Sequence, residues 1–235
     1  MFDLSCEHEQ LVSVWKIALS RGWMSEPRAS VRALIDPKKE TFGMSFRHSH
    51  NLFGWKAGDS LDKLGLCSGA LYRTENFMKT AQGNRCGKAR SGRTIHIEHT
   101  VPIATLNKAW KEVRANRVPS LAEAYAWMFV HSVTTAVHAD EMGGIRGYER
   151  TTRALDRDAH WFNRPFVRYD FKEKPIVIWN VLTREKIDAA TFSFADHFRM
   201  IGLLLEECKA GKDEIAAIRR EADLALHFFQ SGDAR

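Results

Sequence analysis

A chain of 235 residues, 44% hydrophobic and 27% charged, can bury a sizeable core in one domain or two modest ones and has the make-up of a soluble globular protein. Its longest apolar runs, such as MIGLLL at 200–205, are far too short to cross a bilayer, and the acidic MFDLSCEHEQ start lacks the pattern of an export signal. Four scattered cysteines without a C-x-x-C pair argue against a zinc ribbon or a disulfide framework, so a cytoplasmic protein with reduced thiols and no membrane partner is expected.

In chain order, EQLVSVWKIAL repeats its apolar residues at helical spacing, and SEPRASVRALI carries Ser25 as a cap before Pro27. Residues 36–70 are rich in Gly, Asp and Ser and suggest loops and short strands, with His48 and His50 in FRHSHNLFGW suited to contacting solvent or phosphate. ALYRTENFMKTA reads as a helix, QGNRCGKARSGR as a flexible basic loop, and TIHIEH alternates like a strand. ATLNKAWKEVRAN and SLAEAYAWMF return to helical spacing, the second opened by Pro119 and Ser120. FVHSVT is strand-like, and TAVHADEM begins a helix that Gly143-Gly144 would stop. An Arg-rich stretch over 145–170 follows, then KPIVIWNVLTREKID as a β-hairpin and a mostly helical tail from 194 to 229. The expected fold class is α+β. A small catalytic core is embedded in a mostly helical chain with a C-terminal hairpin and helices, divided as 1–70, 71–142 and 143–235.

Charge is unevenly spread. The chain carries a net +6, and between Lys79 and Arg117 nine Lys or Arg stand against two acids, Glu98 and Glu112. That belt flanks RTIHIEHTVPIATL, where Glu98 abuts His99 at the end of the alternating run and Thr100 and Pro102 make a turn. Phosphodiester hydrolysis needs a base for water and a cation to offset charge on phosphorus and the leaving oxygen. Adjacent residues at a strand end point different ways, so a carboxylate can face a metal while an imidazole faces water. A bystander carboxylate or a buried histidine is the plainer alternative at each position taken singly.

A strand ending in acid–His, a Pro turn, a second strand and a helix bearing His resemble the HNH (ββα-metal, His-Me finger) nuclease family over 93–142. The resemblance implies His99 as general base, with Glu98 and His138 holding one divalent ion, Mg²⁺ or Mn²⁺. Where the family carries a middle Asn, the candidates here are His131, for which the resemblance then implies a catalytic role, or a displaced Asn107 or Asn163. The 39 residues from His99 to His138 require NKAWKEVRANRVPSLAEAYAW to be a helical insertion. The expected activity is a metal-dependent DNA endonuclease of restriction or related defence type.

Double-stranded DNA is the expected partner, held by Lys79, Arg85, Lys88, Arg90 and Arg93 of the basic loop and by Arg146 and Arg164 of the Arg-rich segment. That segment also holds Arg150, Arg153, Arg157 and Arg168, and its acids could instead pair most of these in surface bridges. A homodimer through the amphipathic C-terminal helix is one expectation for palindromic cleavage, and core packing explains the same helix. Rival functions are a non-catalytic nucleic-acid-binding protein, an RNase or toxin-type nuclease with the same core, and a hydrolase of small phosphate compounds, which has little use for the basic belt.

Overall fold

The computed structural model describes residues 2–20, 32–43, 45–46, 67–85, 94–147, 154–156, 160–170 and 175–211, and for some helical positions, Arg146 among them, the backbone alone. The architecture is α+β, a mixed five-stranded sheet among helices. Helix α1 spans Leu4–Ser20 and buries Leu11, Val12, Val14 and Trp15, the apolar stripe read from EQLVSVWKIAL. Strand β1 (Tyr72–Thr74) leads into α2 (Glu75–Lys79), where the Thr74 hydroxyl accepts from Phe77 N at 3.2 Å and caps the helix. The stretch expected as one helix is therefore a strand followed by a short helix. Arg73 and Tyr72, both at 0% exposure, are drawn into the middle of a sheet.

After α3 (Gln82–Arg85) comes β2 (Ile95–His99), the strand expected from TIHIEH. Helices α4 (Ile103–Asn116) and α5 (Leu121–His131) then form the inserted segment. Ser120 opens α5 with a capping box, its hydroxyl accepting from Glu123 N at 3.2 Å while Glu123 Oε2 accepts from Ser120 N at 2.7 Å. Strand β3 (Thr134–His138) and helix α6 (Ala139–Gly147) follow. FVHSVT is thus not the second strand. Val130 and His131 still belong to α5, and the β-branched Thr134, Thr135 and Val137 supply the pairing segment. Gly143-Gly144 does not stop α6, because Ile145 beyond it is fully buried.

Short helix α7 (Val167–Asp170) precedes β4 (Ile178–Asn180) and β5 (Glu185–Lys186), the hairpin expected from KPIVIWNVLTREKID. Its turn is closed by Arg184 at φ 60°. Helix α8 (Phe194–Glu207) ends the described chain, and the amphipathic run over 213–229 lies outside the described residues. The sheet order is β2-β3-β1-β4-β5, with β1 parallel to β3 and every other pair antiparallel.

The divisions at 70 and 142 do not separate structural units, since β4 pairs directly with β1 and one core joins Trp15, Tyr72, Trp127, Phe166 and Leu204. A second cluster on the other side of the sheet holds Cys67, Phe77, Ile95, Ile97 and Ala136. Beside it Glu7 of α1 accepts from both Arg73 and Arg85, and backbone carbonyls of Ala70, Ser68, Thr80, Phe77 and Met78 take the remaining guanidinium N–H groups. This knot ties the N-terminal helix to the sheet. Among the described residues no helix is long and apolar enough to cross a membrane.

Candidate active site

Strand β2 lies at the edge of the sheet among the described residues, and its last two residues are Glu98 and His99. The register with β3 assigns their faces. Ile95, Ile97 and His99 stand opposite His138, Ala136 and Thr134 on one face, whereas His96 and Glu98 stand opposite Val137 and Thr135 on the other.

His99 is 8% exposed, and its Nε2 lies 3.2 Å from the carbonyl oxygen of Phe46. A carbonyl only accepts, so Nε2 carries the proton and Nδ1 is the basic nitrogen. The carbonyl is itself braced. Phe46 N donates to Phe42 O at 3.1 Å, and Phe42 N donates to Asn107 Oδ1 at 2.7 Å. Asn107 therefore supports the segment that orients His99. Asn163, the other displaced candidate, sits at φ 67° and accepts from Phe194 N at 3.4 Å.

The Glu98 carboxylate is divided between two partners. Oε1 accepts from Arg168 Nη2 at 3.0 Å, and Oε2 lies 3.8 Å from His96 Nε2. Arg168, 1% exposed, also donates from Nη1 to the carbonyls of His99 at 3.0 Å and Thr100 at 3.4 Å, and from Nη2 to that of Ile145 at 3.3 Å. One guanidinium thus pins the end of β2, its carboxylate and helix α6 together. Burial, and after it the Glu98 charge, push the neighbouring Tyr169 phenol above its ordinary range.

The structure does not bring His138 to this pair. It closes β3 rather than lying in a helix, opposite Ile95, on the face away from Glu98. Three strand positions, roughly 10 Å, separate it from the residue that pairs with Glu98. Its Nδ1 lies 3.3 Å from both Asp140 N and Asp140 Oδ2. Glu141 Oε2 accepts from His138 N at 2.8 Å and from the Thr74 hydroxyl at 2.6 Å, so that carboxylate closes the start of α6, as its place in a first helical turn suggests.

His131 is likewise a core residue. Its ring stacks on Trp127 with centroids 4.5 Å apart, packs against Phe194 at 4.9 Å, and has Nδ1 2.8 Å from Trp127 O. Burial lowers its pKa to about 4, and the ring expected to be catalytic is enclosed in the core rather than open to a substrate.

The basic residues divide as well. Lys79 is exposed and pairs with Glu75 at 2.7 Å. Arg85 is 2% exposed inside the Glu7 knot, with its guanidinium 4.5 Å over the Phe77 ring, and cannot meet a phosphate without unfolding that knot. Arg164 is half-buried; the Thr191 hydroxyl first, and more weakly Arg164, hold the Asp188 carboxyl below its ordinary range. Lys88, Arg90 and Arg93 lie outside the described residues, as do His48 and His50. Arg146 falls in α6 at a position described by backbone alone.

No family model, curated protein or solved structure matches the chain.

Among the described residues, no group of three or more His, Cys, Asp or Glu side chains is placed to hold a metal. The donors at the strand end are Glu98 Oε2 and His96 Nε2, a set that fits an open site completed by water and substrate oxygens. Two residues of this site escape a reading of the chain by motif. His96 could have been found from the alternation of TIHIEH, which puts it beside Glu98. Arg168 is one of six arginines in its segment, and nothing local marks it as the buried one.

Proposed function

We propose that the chain is a divalent-cation-dependent endonuclease of the restriction or defence type that hydrolyses DNA phosphodiester bonds, with His99 as its general base. The observation that carries this is the oriented imidazole. Phe46 O lies 3.2 Å from Nε2 and fixes the tautomer in which Nδ1 is the basic nitrogen, at the strand end where the adjacent Glu98, on the opposite face, is anchored by Arg168. The succession of β2, β3 and α6 in ββα order supports the same reading.

His99 Nδ1 takes a proton from water as the water oxygen bonds to phosphorus. The bond from phosphorus to the 3′ oxygen breaks, its electron pair leaving with that oxygen, which takes a proton from solvent water to give a 3′-hydroxyl beside the new 5′-phosphate. Glu98 presents Oε2 where a cation would be held, and the cation when bound, Mg²⁺ or Mn²⁺, neutralises charge on the phosphoryl group and the departing oxygen. Arg168 keeps Glu98 and the His99 backbone in fixed relation, and the exposed Lys79 and Lys108 suit phosphates further along the duplex.

The test is nicking of supercoiled plasmid with and without EDTA, repeated with an RNA substrate. Breaks should require the cation and occur in DNA, and His99→Ala should lose about 10²–10⁴-fold in rate while retaining DNA affinity. Near wild-type cleavage by that variant removes His99 from the mechanism. Absence of cation-dependent breaks in either nucleic acid leaves the non-catalytic binding protein as the better account, and breaks in RNA alone favour the RNase.

A further inference from the structure

We propose that His96, not His138, is the second side chain of the cation site, and that His96 Nε2 and Glu98 Oε2 hold one divalent ion at the edge of the sheet; this rests on the nuclease reading above only for what the bound ion does. The two residues are two positions apart on β2, so the pleat sends both side chains to one face. Their donor atoms stand 3.8 Å apart, roughly 0.4–0.8 Å more than the roughly 3.0–3.4 Å between neighbouring donors on an ion bound at about 2.1 Å. A small rotation of the outer side chain closes that difference.

Three further observations favour this pair. The site opens outward, since the His96 side chain is 41% exposed and that of Glu98 12%, on a strand with no neighbour beyond it among the described residues. The carboxylate is pre-oriented, because Arg168 holds Oε1 and turns Oε2 toward His96, the kind of outer bond that fixes a metal-ligating carboxylate. His138 is excluded by register, standing on the opposite face beside Ile95.

The donor set also selects the ion. One imidazole nitrogen with one carboxylate oxygen suits Mn²⁺ or another transition metal better than Mg²⁺, which favours oxygen. Water and phosphate oxygens complete the shell.

The test titrates the full chain, without nucleic acid, with Mn²⁺ followed by electron paramagnetic resonance. Spin-echo modulation from a directly bound ¹⁴N supplies a second readout. Wild type and His138→Gln should bind Mn²⁺ alike and show the nitrogen modulation. His96→Gln should bind at least about tenfold more weakly and lose it. His96→Asp, which returns an oxygen donor to the same face, should recover binding without the nitrogen signal, and thereby shows that the loss in His96→Gln is not a failure to fold. Unchanged Mn²⁺ binding by His96→Gln, nitrogen modulation persisting in it, or no binding by wild type overturns the proposal. Cation-dependent DNA cleavage combined with normal Mn²⁺ binding by His96→Gln sinks the ligand pair and leaves the nuclease. His96-dependent binding without cleavage of any nucleic acid sinks the nuclease and leaves the ligand pair.

Discussion

Replacing Arg168 with Met tests how the end of β2 is held. Met preserves most of the apolar stem and removes a guanidinium whose two terminal nitrogens donate to Glu98 Oε1 and to the carbonyls of His99, Thr100 and Ile145. Stripping one partner from a buried ion pair costs about 3–5 kcal/mol, because the remaining charge is left uncompensated. Glu98 keeps 12% of its side-chain surface exposed and so recovers some solvation, which places the expected loss near the lower end, about 3 kcal/mol. Most of that belongs to the stranded carboxylate rather than to the carbonyls. Arg168→Met/Glu98→Gln should therefore be more stable than the two single losses added together, with a coupling of about 1–3 kcal/mol. Arg168→Lys keeps the charge without the planar fork and should recover only part of the stability. Urea unfolding at neutral pH, with the slope checked for constancy, compares wild type with all four variants. A single-variant loss below about 1 kcal/mol, or additive losses in the double variant, would refute the account of Arg168 as the fastener of this site.

Two other outcomes follow from the buried groups. His131 holds a folded-state pKa of about 4 against an ordinary 6.5, so as pH falls the unfolded chain takes up its proton first. The stability it contributes is complete above 6.5 and is lost as pH falls towards 4, amounting to about 2 kcal/mol at pH 5. Wild type should thus lose more stability than His131→Phe between pH 7 and 5; parallel curves from chemical unfolding would contradict a neutral, enclosed ring. Arg85→Gln should lower the thermal midpoint sharply, since Glu7 loses one of its two guanidinium partners and the Phe77 and Met78 carbonyls lose theirs, whereas Lys79→Ala should leave that midpoint unchanged and reduce the salt dependence of DNA binding by about one counterion. Unfolding midpoints and binding isotherms at several salt concentrations decide it, and a stable Arg85→Gln with weakened DNA binding would restore that arginine to the surface belt.

Local chemistry carried much of the fold. The alternation of TIHIEH specified β2 and the opposed directions of Glu98 and His99, because a two-residue period needs no distant partner to be read. Ser120 and Glu123 specified the start of α5, and KPIVIWNVLTREKID its hairpin, from residues within a few positions of one another. Where the second strand begins was not legible. HSVTTAVH suits either a helix entry or a strand, and only pairing with β2 on one side and β1 on the other decides for Thr134–His138. That decision moved His138 from a helix to the far end of β3 and dissolved its pairing with Glu98. The fate of the arginines was also a tertiary matter. A guanidinium is buried only where a carboxylate and several carbonyls converge on it, and the carboxylates of Glu7 and Glu98 lie 78 and 70 residues from Arg85 and Arg168. Composition and local pattern marked which residues could do chemistry; which of them meet, and which are spent holding the chain together, depends on segments arriving from elsewhere to supply or withhold their partners.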